Sequence, residues 1–227
     1  SSPIPVLATA SEQYIIGMAV TGQRIAIVLD TSSSMTDDKI VDIVRRKVRD
    51  DAVIQAGPKW QRALKAGRWL ISKVPATSRY TVLTFNERAE FLAGNPNWLD
   101  GDDTATMGKL GASLSQLVPK GATNLEGAVD SLLGMTRRPD VIYLVSDGLP
   151  TRGVGSQPRL KGCKKATVSL ACREALFLRA HRKLAAAGLR VNVVLLPMEG
   201  DPSAADLFWT LAGNSGGVML SPAASWP

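Results

Sequence analysis

Histidine is nearly absent: His181 is the only one among 227 residues. There are two cysteines, Cys163 and Cys172, with eight residues between them. That spacing is wrong for a zinc knuckle, and only one His is there to help. Aromatics make up only 5% and do not interleave with the basic residues. A stacking platform for single strands is therefore not expected, and no nucleic-acid partner is assigned. No apolar run approaches the roughly 20 residues needed to span a bilayer. The opening Ser1-Ser2-Pro3-Ile4-Pro5 has neither a starter Met nor a signal-peptide pattern. The chain is expected to be a mature or excised piece, with any membrane anchor outside it.

What is present is the composition of a globular protein, 45% hydrophobic and 21% charged, long enough to bury a full core. The net charge is +7, and it is unevenly spread. Ten Lys or Arg residues stand between Arg152 and Arg190, against one acid, Glu174. Such a block can serve nucleic acid, anionic lipid or an acidic protein, or is simply a solvated, solubilising face. The cysteines fall within it. Either they form one local disulfide, implying an oxidising compartment, or they are reduced thiols in a cytosolic loop. The bridge is the favoured reading, because both lie in or beside a polar, Gly-rich loop.

Three apolar runs do not alternate with polar residues: Ile25 to Leu29, Val141 to Val145 and Val191 to Leu196. Rich in β-branched types, they read as strands buried on both faces of a parallel sheet. Tyr80 to Phe85, the short Ala89 to Leu92 and Gly217 to Leu220 complete the set. Helical stripes fill the gaps: Trp60, Leu64, Leu70 and Ile71 before Pro75; Leu110, Leu114 and Leu117 before Pro119; Leu125, Val129, Leu132 and Leu133; Leu170, Phe177 and Leu184 before Gly188. Another helix is predicted over 203–212. The fold class is α/β, a Rossmann-like, mostly parallel central sheet with helices on both faces. Residues 1–21 read as an N-terminal extension and 22–227 as one domain. Two stretches exceed a minimal version: an insertion at 36–57 with a short amphipathic helix faced by Ile40, Val41, Val44 and Val48, and a long basic loop at 148–168. Both follow carboxyl ends of strands, where open α/β sheets bind ligands.

The chemistry concentrates at three loops. Asp30-Thr31-Ser32-Ser33-Ser34-Met35 follows the first strand and offers one carboxylate and two hydroxyls at alternate positions. These are hard oxygen ligands, suited to Mg²⁺, Mn²⁺ or Ca²⁺. Gly121-Ala122-Thr123-Asn124 adds a hydroxyl before a helix, and Ser146-Asp147-Gly148 adds a second carboxylate after a strand. Each alone is ordinary: Thr123 could cap a helix and Asp147 could begin a turn. Together they resemble the metal-ion-dependent adhesion site of von Willebrand factor type A domains, in that family's order, over roughly residues 22–221. The long segment from Met35 to Trp60 is similar to bacterial membrane-anchored members.

The resemblance implies that Ser32 and Ser34 bind a divalent metal directly, and Thr123 directly or through water. Asp30 and Asp147 would orient waters or reach the metal themselves. An Asp or Glu of a protein partner would complete the shell, and Arg152, Arg159, Lys161, Lys164 and Lys165 would steer it in. The function expected is a metal-dependent binding or adhesion module, not an enzyme, periplasmic or at the cell surface. A cytosolic subunit docking on an ATPase or chelatase-like machine is the alternative, and a metal-assisted hydrolase is a third reading. Other signals fall short. Gly213-Asn214-Ser215-Gly216-Gly217 matches G-x-S-x-G, but a helix precedes it and a strand follows, the reverse of what that motif needs. His181 reads as a packed or rim residue. Gly153-Val154-Gly155-Ser156 lacks the third glycine of a dinucleotide fingerprint, and Asp100, Asp102 and Asp103 read as a solvated loop before a helix.

Overall fold

The computed structural model describes residues 17–155, 162–163 and 168–222. Its centre is a seven-stranded sheet ordered β3-β2-β1-β5-β6-β7, with β4 also pairing β2. The strands are β1 (Arg24–Asp30), β2 (Arg79–Phe85), β3 (Ala89–Phe91), β4 (Leu99–Asp100), β5 (Val141–Ser146), β6 (Arg190–Leu195) and β7 (Met219–Leu220). β2, β1, β5, β6 and β7 run parallel, while β3 and β4 lie antiparallel to β2. The helices are α1 (Ile40–Arg46), α2 (Asp51–Gln55), α3 (Pro58–Ser72), α4 (Thr104–Leu114), α5 (Leu125–Leu133), α6 (Leu170–Ala186) and α7 (Ala204–Asn214).

The unbroken apolar strands have the physical cause expected. In β1, Ile25, Ile27 and Leu29 pack in one core with Trp60, Leu64, Leu70 and Ile71 of α3 and with Leu110 and Leu114 of α4. Ala26 and Val28 point the other way, into a second core with residues of α5, α6 and α7, including Leu125, Phe177 and Phe208. With both faces covered, the side-chain alternation of a strand no longer shows as polar and apolar. Met18 and Val20 are also buried in the first core, and Tyr143 Oη donates to Ala19 O at 2.9 Å.

The predicted elements are found with shifted ends. α4 stops at Leu114, leaving Leu117 beyond it, and α6 ends before Gly188, whose φ of 65° suits glycine. Leu170, assigned to the buried stripe of α6, is 38% exposed at its first turn. The face assigned to the 36–57 helix is turned outward. Ile40, Val41, Val44 and Val48 are 46%, 49%, 51% and 76% exposed, and Ile43 is the buried residue of α1. An ion pair accompanies this rotation. Arg46 donates to both oxygens of Asp37 at 2.6 and 3.0 Å and to Val53 O at 2.9 Å, on the side where Ile43 is buried.

Candidate metal site

The carboxyl ends of β1 and β5 lie side by side, with Leu29 paired to Val145, and the chain leaves β1 toward β2 on one side and β5 on the other. That is the switch point at which an open α/β sheet forms a crevice. Asp30, at the end of β1, is fully buried; its Oδ1 accepts the Ser32 N–H at 2.8 Å and its Oδ2 accepts Ser146 Oγ at 2.8 Å. Residues Ser33–Thr36 then form a 3₁₀ turn, and Ser32 ahead of it spends no side-chain bond on capping. The Ser32 and Ser34 hydroxyls stand 3.1 Å apart, and Ser34 Oγ donates to Asp147 Oδ1 at 3.0 Å. Burial, then the charge of Asp147, pushes Asp30 up to about 7.

Thr123 is buried on the third loop. The helix cap there is Asn124, whose side chain accepts the Gly127 N–H at 3.0 Å, so Thr123 is not spent on capping α5. The loops are laced by backbone bonds. Ser33 N–H reaches Gly121 O at 3.1 Å, and Thr151 and Arg152 N–H groups reach Thr123 O at 2.9 and 3.0 Å. Gly121, at a φ of 80°, makes the turn that presents this carbonyl.

Asp30, Ser32, Ser34 and Asp147 thus meet in one bonded cluster, with the Thr123 loop tied to it. No group of three or more His, Cys, Asp or Glu that could hold a metal occurs among the described residues. A cation here depends on hydroxyls, and two hydroxyls between two carboxylates fit a hard divalent ion.

Several neighbours were not singled out from the sequence. Lys59, at 0% exposure, donates through Nζ to Asp147 Oδ2 at 2.7 Å and to Pro197 O at 3.1 Å. Its signal was present, since Lys59, Ala63, Ala66, Gly67 and Leu70 share the buried face of α3. Asp201 buttresses the loop after β5. Its Oδ2 accepts from Leu149 N–H and Arg173 Nη2, both at 2.6 Å, and burial pushes its carboxyl above the usual range.

Three members of the basic block are paired with buried carboxylates. Arg173 pairs with Asp201, while Arg179 and Lys183 pair with the buried Glu126 at 2.8 and 2.9 Å. Arg152 is exposed beside Glu87, at 3.7 Å. Arg159, Lys161, Lys164 and Lys165 lie outside the described residues. Cys163 and Cys172 are bridged, with Cα atoms 5.4 Å apart. Cys172 sits in the first turn of α6 and packs with Leu176, so it belongs to a small core rather than to a polar loop. His181 packs edge-on to Phe177, with ring centroids 6.1 Å apart.

The von Willebrand factor type A domain model matches residues 25–149, more than half of the chain, and the chain belongs to this family. A comparison with curated proteins finds no matching relative. Among solved structures, it is similar to a von Willebrand factor type A protein from Catenulispora acidiphila, with a TM-score of 0.56 and 12% identity, over 89% of this chain and 39% of that one. It is similar also to the PilB minor pilin from Streptococcus sanguinis, with a TM-score of 0.54 and 16% identity, over 90% of this chain and 58% of that one. The manganese-loaded TRAP protein of Plasmodium vivax follows at a TM-score of 0.50 and 12% identity, over 86% of this chain and 64% of that one. At these identities the likeness shows the fold, and this chain spans less than two thirds of each relative.

Proposed function

We propose that this domain is a protein-binding module, not an enzyme, whose site at the ends of β1 and β5 takes a divalent cation and, through it, a partner's Asp or Glu. The observation that carries this reading is the pair of serine hydroxyls 3.1 Å apart, bracketed by Asp30 and Asp147. Ser32 and Ser34 act as direct ligands, Thr123 directly or through water, and Asp30 and Asp147 hold waters or reach the ion. Mg²⁺, Mn²⁺ or Ca²⁺, when bound, supplies an electrophilic position that a carboxylate can complete. The manganese named for the TRAP protein accords with such an ion.

The residues themselves do the rest. Few direct anionic ligands keep the site attractive to a carboxylate, while the bonds from Ser146 and Ser34 fix both aspartates. Arg152, with Arg159, Lys161, Lys164 and Lys165, steers an acidic partner over the distance that salt leaves unscreened, about 8–10 Å. The Cys163–Cys172 bridge favours a periplasmic or surface setting over a cytosolic subunit of an ATPase or chelatase-like machine.

The test is a pull-down in Mg²⁺, eluted with EDTA and repeated with Asp30→Ala. The recovered partner is then altered from Asp or Glu to the amide at its contact residue. Binding is expected to need metal, Asp30 and that carboxylate together. Binding that survives both EDTA and the amide substitution overturns the mechanism.

A further inference from the structure

A lysine at the first turn of a helix ordinarily reaches solvent, yet Lys59 is wholly buried with its ammonium on Asp147. The route that brings it there is built. Gly57 lies so close to the 3₁₀ turn that a Cβ would stand 2.6 Å from Thr36 O, and α3 starts at the next residue, Pro58. Asp147 is thereby held from both sides, Oδ1 by Ser34 and Oδ2 by Lys59. Burying an ammonium costs free energy that only close pairing offsets, so this position needs a reason beyond packing.

Formal charge supplies one. With both carboxylates ionised, Asp30, Asp147 and Lys59 sum to −1; without Lys59 they sum to −2. A divalent cation brings these to +1 and 0. We propose that Lys59 is a resident counter-cation of the site: it secures Asp147 while no metal is bound and weakens metal affinity, leaving the loaded site with a positive surplus for an incoming carboxylate. This rests on the metal reading above. It predicts that metal and Lys59 are partly interchangeable in holding the loops, which a lysine of merely structural value would not be.

The experiment measures Mn²⁺ affinity by electron paramagnetic resonance at pH 8 for wild type, Lys59→Gln and Lys59→Met. Melting is followed for each in EDTA and in saturating Mn²⁺. At least tenfold tighter Mn²⁺ binding is expected in both variants, since one positive charge beside the site is removed. Their melting temperatures should fall in EDTA and recover in Mn²⁺. A variant that folds only with Mn²⁺ gives the same support. Unchanged or weaker Mn²⁺ affinity, an equal loss of stability with and without Mn²⁺, or failure to fold even at saturating Mn²⁺ overturns the proposal. Equal Mn²⁺ binding by all three proteins leaves the metal site standing and removes only the role of Lys59. Absence of Mn²⁺ binding in all three removes both, and binding by the variants alone supports Lys59 as the occupant that excludes metal.

Discussion

Ser34 Oγ donates to Asp147 Oδ1 at 3.0 Å, joining residues 113 positions apart in the chain. The bond exists because β1 and β5 are neighbours in the sheet, so the loops leaving their carboxyl ends face each other. An ion held between those loops binds the folded chain alone and stabilises it by mass action. At a hundredfold excess over its dissociation constant the gain is about 2.7 kcal/mol. Melting by calorimetry should therefore rise with millimolar Mg²⁺ or Mn²⁺ in the wild type, and far less in Ser32→Ala/Ser34→Ala. Identical shifts in the two proteins would remove the serines from the site.

Glu126 offers a pH test on a residue outside the proposed metal ligands. Burial pushes its carboxyl up, but the bonds from Lys183 and the Val154 N–H, and the charge of Arg179, outweigh this and hold it below its ordinary value of 4.5. A carboxyl depressed by folding gives stability that is present above the unfolded value and lost as pH falls through the folded one. Near neutral pH, Glu126→Gln should cost about 1.5–3 kcal/mol. The gap between the two proteins should narrow below pH 4.5 in denaturant titrations. A gap constant from pH 7 to pH 3 would show that the ionised form is not what matters.

The disulfide closes a short loop, so its entropic contribution is about 2–3 kcal/mol. Intact mass without reductant should find Cys163 and Cys172 both blocked. The Cys163→Ser/Cys172→Ser protein should fold with reduced stability, the small Leu176 cluster being its nearest casualty. Two free thiols in native material would take away the argument for an oxidising compartment.

The rotation of α1 is testable by contrast. Val44→Ser and Val48→Ser should each change stability by no more than about 0.5 kcal/mol, as exposed positions do. Ile43→Ala should cost about 2 kcal/mol or more, because that side chain is buried. Urea titrations of the three variants decide it, and the reverse ranking would restore the valine face to the core.

The sheet was legible because strands covered on both faces must be apolar throughout, and Ile25 to Leu29 and Val141 to Val145 are. The α1 face was not, since periodicity shows that a helix has an apolar side but not which side the fold buries. Here Ile43 is buried, on the side that carries the Asp37–Arg46 pair, and nothing in the order of residues 36–57 announces it. The pairing inside the basic block was not legible for a related reason. Charge counting cannot see that Arg173, Arg179 and Lys183 are committed to Asp201 and Glu126, residues far away along the chain.

By itself the sequence determined the α/β class, the run of elements and the oxygen-rich types at Asp30, Ser32, Ser34, Thr123 and Asp147, because these are local matters of periodicity and side-chain chemistry. Only the tertiary structure decided which of those oxygens meet, since Ser34 finds Asp147 through strand pairing and not through sequence spacing. It alone also placed Lys59 against Asp147. A lysine's preference for water yields only when the fold supplies a buried carboxylate at 2.7 Å, and that partner lies just past the end of β5, 88 residues further along the chain.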